Sequence, residues 1–188
     1  MGKHTDVDSA DEWQQELIRR LENPWRDIPY DGKESEWFFA GGWEQWADKY
    51  PQLFDPQDRG KKERSQNRRS YFNEWLSAIT LFKEDGWLSL VGKYSNQVHP
   101  RKISIVKDVV KVSDKVWTLL EEETGIPDLF VYRSDLAVYR DADWFLAEVK
   151  GPTNNYYEDS QIEMFKRLEQ MMGKEVRIIR VRKCQNIV

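Results

Sequence analysis

Four side chains in the C-terminal half of the chain have the types and spacing for phosphoryl chemistry: Asp128, Glu148, Lys150 and Gln161. In the segment WFLAEVK (144–150), strand alternation sends Phe145, Ala147 and Val149 to one face and Glu148 and Lys150 to the other. An acid and a base therefore share a face. If Asp128 opens the neighbouring antiparallel strand, its carboxylate lies beside Glu148, and the pair makes an oxygen-ligand site suited to Mg²⁺ or Mn²⁺. An ammonium at Lys150 stabilises charge building on an attacking water and on a phosphate oxygen, while the cation acidifies that water. Together these residues suit metal-dependent phosphodiester hydrolysis; the plainer alternative is a salt-bridged strand pair with a surface lysine. Gln161 adds an independent sign. With Phe165, Leu168 and Met172 it falls on one helical stripe, so a polar amide takes the first-turn place on an otherwise apolar face and points toward the sheet. There it can bond a water or phosphate at the metal; the alternative is a helix-terminal amide bonded to nearby backbone.

Other chemistries are poorly supplied. Cys184 is the one cysteine, so neither an internal disulfide nor a thiolate zinc cage can form, and His4 and His99 are too few for a histidine cluster. Any metal must be a hard cation on carboxylates. His99 could assist catalysis or contact phosphate, but beside Pro100 it reads more readily as a surface loop residue. The stretch Gly86 to Tyr94 resembles a phosphate loop but has five residues between its glycines and Tyr94 in place of Ser or Thr, so it is rejected. Asn154, Asn155, Tyr156 and Tyr157 either line a DNA path or serve as plain turn and capping residues.

The elements that must position these groups follow from hydrophobic periodicity. Residues 71–82 form a strongly periodic helix that stops near Gly86, with Tyr71, Phe72, Trp75, Leu76, Ala78, Ile79, Leu81 and Phe82 on a broad apolar face and Asn73, Ser77 and Thr80 opposite. Short strands are predicted at 87–91 and 103–106, and a helix at 107–123 with Gly125 as its C-cap. Strands follow at 128–132 and 144–150, then a helix over 156–172 closed by Gly173 and a last strand at 175–182. Upstream, residues 11–22 read as an amphipathic helix with Trp13, Leu17, Ile18 and Leu21 on one stripe. Trp37, Trp43 and Trp46 suit packing better than stacking on bases. The division predicted is an acidic, Trp-rich, mostly helical extension over 1–65 and a catalytic domain over 66–188.

The 188 residues carry 29 Lys and Arg against 33 Asp and Glu, a net charge of −4, with 39% hydrophobic residues and nine Trp. That is too apolar for a disordered chain. No apolar run approaches the roughly 20 residues of a membrane-spanning helix, and no secretory leader is evident, so a soluble, intracellular, cytoplasmic protein without membrane partners is expected. Charge is uneven: residues 1–58 have a net charge of −8 and residues 59–70, RGKKERSQNRRS, of +5. That run either contacts a polyanion or keeps a linker solvated. A second basic stretch, with seven basic and three acidic groups, spans residues 161–188. The acidic extension either covers the basic run or docks a partner.

The motifs GIPDLFVY (125–132) and FLAEVKGP (145–152), the helical Gln161 and the terminal strand VRIIRVR (176–182) resemble the VRR-NUC domain of the PD-(D/E)xK nuclease superfamily. The close match spans about residues 124–183 and a looser one reaches back to about 71. The resemblance implies an α/β, restriction-endonuclease-like core, a mixed β-sheet flanked by helices. It implies Asp128 and Glu148 as metal ligands, the Val149 carbonyl as a further ligand, Lys150 as catalytic base or charge stabiliser, and DNA as substrate, including branched or junction DNA. Relatives add an acid from a helix before the sheet, for which Glu74 is the candidate; Glu121, Glu122 and Glu123 sit too exposed before the GIPD turn. The stretch of 36 residues over 88–123, which precedes that turn and includes an additional helix, departs from the family pattern. A homodimer fits the resemblance, although no heptad or interface strip adds to it. The contrasting expectation is a catalytically silent nucleic-acid or protein interaction module on a nuclease scaffold.

Overall fold

A computed structural model of the protein describes residues 6–55, 68–92, 94–95, 97–122, 124–133 and 144–184. Most of the basic run 59–70, together with His4 and Glu123, lies outside the described residues. The chain is α/β: a five-stranded mixed sheet flanked by helices, preceded by an N-terminal helix. The strands are β1 (Arg26–Tyr30), β2 (Leu88–Val91), β3 (Leu129–Tyr132), β4 (Trp144–Lys150) and β5 (Arg177–Lys183), in the order β1-β5-β4-β3-β2. The β2-β3 and β3-β4 pairs are antiparallel, whereas β5 runs parallel to both β4 and β1. Among the described residues the α-helices are α1 (Asp6–Glu22), α2 (Gly32–Trp37), α3 (Trp43–Lys49), α4 (Arg68–Asp85), α5 (Pro100–Ser104), α6 (Asp114–Glu121) and α7 (Asp159–Met172).

Every residue of β4 is buried, and its alternation divides the core in two. Phe145, Ala147 and Val149 join Phe72, Trp75, Leu76 and Ile79 of α4 on one face of the sheet. Trp144 and Leu146 join Val116 and Leu120 of α6, Phe165 and Leu168 of α7, and Leu17 and Leu21 of α1 on the other. Glu148 and Lys150 belong by parity to this second face. The Trp-rich segment is core: Trp46 stacks on Phe72 with ring centroids 6.0 Å apart, and Trp37 meets Trp46 edge to face at 5.6 Å.

Several local expectations fail for identifiable reasons. Strand β1 is unforeseen, because RDIPY buries only Ile28 and carries Pro29, which an edge strand tolerates and a central one does not. The predicted strand at 103–106 is helical: Pro100 sits in the first turn of α5, and the run continues through a π-helical turn, Ile105–Val109. A run as short as Ile-Ser-Ile-Val does not distinguish the two states. The helix predicted over 107–123 is shorter, since Lys111 takes a left-handed φ of 58° and Ser113 starts α6 afresh by accepting the Val116 N–H. Ile18 leaves the α1 stripe and is exposed. His99 is fully buried rather than at the surface, with Nδ1 3.7 Å from Asp55 Oδ1. Ser77, assigned to the polar side of α4, is buried and donates to the Asn73 carbonyl, whereas Tyr71 is exposed. Helix α7 opens three residues later than expected and Gly173 closes it in the left-handed conformation.

Gly125 does not cap a helix. It opens the GIPD turn with φ 72°, and a Cβ there would overlap the Ser160 carbonyl and crowd the Gln161 amide at the start of α7. The turn that presents Asp128 and the helix that presents Gln161 thus touch backbone to backbone. Gly125→Ala should cost about 2–5 kcal/mol, combining left-handed strain with overpacking against main chain that cannot move aside. Denaturant unfolding checks this, and a loss below about 1 kcal/mol would contradict the close approach.

Candidate active site at the open end of β3 and β4

The β3-β4 register pairs Leu129 with Ala147, which sets Asp128 level with Glu148. Asp128 lies just before the first residue of β3, and its Oδ2 accepts the Val149 N–H at 2.9 Å, so the carboxylate takes a ladder position that backbone would otherwise fill. Two further bonds hold the turn. Gly92 N–H donates to the Asp128 carbonyl at 2.8 Å, and the buried Tyr94 hydroxyl donates to the Pro127 carbonyl at 2.9 Å. In the sequence, Tyr94 stands out only as the residue that spoils a phosphate loop.

Glu148 and Lys150 are buried beside one another, with Lys150 Nζ 2.9 Å from Glu148 Oε1. Gln161 closes the triangle. Its Nε2 donates to Glu148 Oε1 at 2.6 Å, and its Oε1 accepts from Lys150 Nζ at 3.0 Å and from the Glu158 backbone N–H at 3.2 Å. The amide faces the sheet, as its stripe predicts, and its oxygen also satisfies the first turn of α7. The Tyr157 ring covers the lysine, with Nζ 4.9 Å from its centroid, so Tyr157 packs against the catalytic lysine candidate and is more than a turn residue. Tyr156 is exposed. An ammonium has three donors, and the contacts to Glu148 and Gln161 use two of them.

Glu74, on α4, is buried and approaches from the opposite face of the sheet; its Oε2 would lie 3.8 Å from a Cβ at Gly92, the residue bonded to Asp128. The buried Lys102 ammonium bonds the Val91 and Gly92 carbonyls at 2.7 and 3.3 Å, bringing a second cation to this end of the sheet. It comes from the intervening segment between β2 and the GIPD turn, which carried no functional expectation. Glu121 is exposed, and Glu122 pairs with Arg167, away from this cluster.

The electrostatics bear the mark of crowded carboxylates. Burial, then the neighbouring Glu148 and Glu74 charges, push the Asp128 carboxyl well above the usual carboxylate range, opposed by the Val149 N–H and the Lys150 ammonium. Burial raises Glu148 too, against the pull of Lys150 and the Gln161 amide. Tyr94 is raised by burial and then by Asp128 and Glu148, which places its phenol in the same negative field.

The donor set suits a small hard cation. Glu148 Oε2 is buried and has no hydrogen-bond partner of ordinary geometry among the described residues, although the Asp128 backbone N–H also helps to hold the Glu148 carboxylate in its charged form. Among the described residues no three His, Cys, Asp or Glu side chains form a ready-made cage. Mg²⁺ does not require one, since it is commonly held by one or two carboxylates and completes its octahedron with water and substrate oxygens. Asp128 and Glu148 are the two carboxylates that could hold such an ion, with Glu74 adding charge behind Asp128. A cavity of about 370 Å³ lies elsewhere, between β1 and α4, lined by Asp27, Glu34, Lys49 and Lys83 among others.

No protein-family model matches the chain, and no curated protein matches it by sequence. Among the described residues no helix is long and apolar enough to cross a membrane.

Proposed function

We propose that the protein is a Mg²⁺- or Mn²⁺-dependent deoxyribonuclease that hydrolyses phosphodiester bonds within DNA, with Asp128 and Glu148 holding the cation, the Val149 carbonyl and Glu74 assisting, and Lys150 and Gln161 acting at the reacting phosphate. The observation that carries this reading is the buried Glu148 Oε2, without a hydrogen-bond partner of ordinary geometry among the described residues, beside a raised, partly exposed Asp128. The resemblance of GIPDL and AEVKGP to VRR-NUC nucleases points the same way. When bound, the cation would lower the pKa of a water and neutralise charge on the scissile group. The chain's own residues do the rest. Gln161 and Lys150 both fix Glu148 Oε1, which would leave Oε2 as the oxygen available to an ion. The Val149 N–H fixes Asp128 Oδ2 in the same way. The remaining Lys150 donor is preorganised, by Tyr157 on one side and Gln161 on another, to stabilise an oxyanion as charge develops.

The buried Lys150–Glu148 pair also favours a second reading, a catalytically silent nucleic-acid-binding scaffold in which the ammonium replaces the metal permanently. Supercoiled DNA separates the two. The enzyme reading expects nicking with Mn²⁺ that EDTA stops and that Lys150→Ala and Asp128→Ala lack; wild-type nicking no greater than in those variants leaves only the scaffold.

A further inference from the structure

The β4-β5 register pairs Lys150 with Arg180, and the β1-β5 register pairs Arg180 with Asp27. Paired residues in adjacent strands share a face, so Arg180 stands one strand, about 4.8 Å, from Lys150 on the same side of the sheet. Arg182, two residues on, shares that face about 6.6 Å further along. Strand β4 ends at Lys150 while β5 continues to Lys183, so Arg182 projects past the last residue of β4 at the open end of the site. Both guanidiniums reach solvent, with side-chain exposures of 33% and 61%. A single carboxylate serves both: Asp27 Oδ2 is 3.0 Å from Arg180 Nη2 and 3.0 Å from Arg182 Nε. Two cations on one anion leave a net positive charge and unused guanidinium donors. The alternate residues Ile178 and Ile179 are buried in opposite halves of the core, which fixes the strand and hence the direction in which Arg180 and Arg182 stand.

We infer that Arg180 and Arg182 form a backbone-phosphate clamp, preset by Asp27, which grips the DNA strand beside the scissile position. This rests on the nuclease reading for the placement of the scissile group, and it assigns the basic C-terminal stretch a task separate from catalysis. Arginine suits the role because its planar fork matches phosphate and stays charged at every working pH.

The test is duplex binding by fluorescence anisotropy across a salt series, using full-length Asp128→Asn protein so that cleavage does not interfere. Each lost phosphate contact should lower the slope of log K against log salt by about 0.9, which at 0.15 M salt corresponds to about five-fold in affinity. Arg182→Gln, which keeps the Arg180–Asp27 pair, should lower the slope by about one; Arg180→Gln with Arg182→Gln should lower it by about two and weaken binding about thirty-fold. Asp27→Asn should tighten binding. A purely structural role moves melting temperature and leaves the slope alone. Unchanged slopes in both arginine variants, or no duplex binding by the parent protein, overturn the clamp. Mn²⁺-dependent nicking by the same arginine variants on an otherwise wild-type background reports separately on the nuclease reading: slopes that fall without any wild-type nicking would keep the clamp and remove the catalysis.

Discussion

Asp128→Asn should make the metal-free protein more stable while removing its activity. The amide keeps the shape of the side chain, and its oxygen can still accept the Val149 N–H, but the charge that Glu148 and Glu74 repel is gone. The gain should be about 1–2 kcal/mol, or about 2–8 °C in Tm, the range typical of relieving a functional strain in a chain of this size. Its pH dependence has a definite sign. Because the folded carboxyl sits above its ordinary value of 3.8, the native protein holds a proton that the unfolded chain has released, and stability falls as pH rises through that window. The advantage of the variant should therefore be near zero below about pH 3.8, grow as pH climbs, and level off above the raised folded value. Added Mn²⁺ should raise the Tm of the wild type at pH 8 and leave the variant unmoved. A variant that is less stable than the wild type at pH 8 would mean that Asp128 is a structural carboxylate.

Lys150→Ala should lower turnover about 100- to 1,000-fold with little change in KM, the signature of a group whose main interaction forms in the transition state. It should also destabilise the metal-free protein by about 3–5 kcal/mol near neutral pH, since Glu148 is then left buried without its cation. Metal binding should survive, and be no weaker than in the wild type, because the ammonium and the incoming cation compete for the same carboxylate. Loss of Mn²⁺ affinity together with activity would recast Lys150 as a support for the ligands. Lys150→Arg should not rescue turnover, because the planar guanidinium must fit where Tyr157 and Gln161 already enclose a compact ammonium.

How much of this was legible in the sequence depends on the range of each interaction. Strand alternation in WFLAEVK is a local property, and it placed Glu148 and Lys150 on one face because β4 is central and paired on both sides. The stripe through Gln161 is equally local, and α7 presents that amide to the sheet. The α/β class followed from the same periodicities. The helical fate of 103–106 was hidden because so short a run has no distinctive period, and tertiary packing, which buries Val106, decides it. Strand β1 was hidden because it is made by long-range pairing with β5, over 150 residues later, rather than by its own propensity. Tyr94 and Lys102 belong to the segment between β2 and the GIPD turn, and no spacing rule links a hydroxyl at 94 to a carbonyl at 127. Glu74 could be placed on the flank of its helix, but its approach to Gly92 depends on how α4 crosses the sheet.

The central claim is that Asp128 and Glu148 share one cation. Crystals soaked in Mn²⁺ near pH 8 and measured at a wavelength where manganese scatters anomalously test it most directly. An anomalous peak within about 2.0–2.3 Å of Glu148 Oε2 and of an Asp128 oxygen is the predicted result. A clean map at that point, with Lys150 still closed on Glu148 at saturating metal, would contradict it.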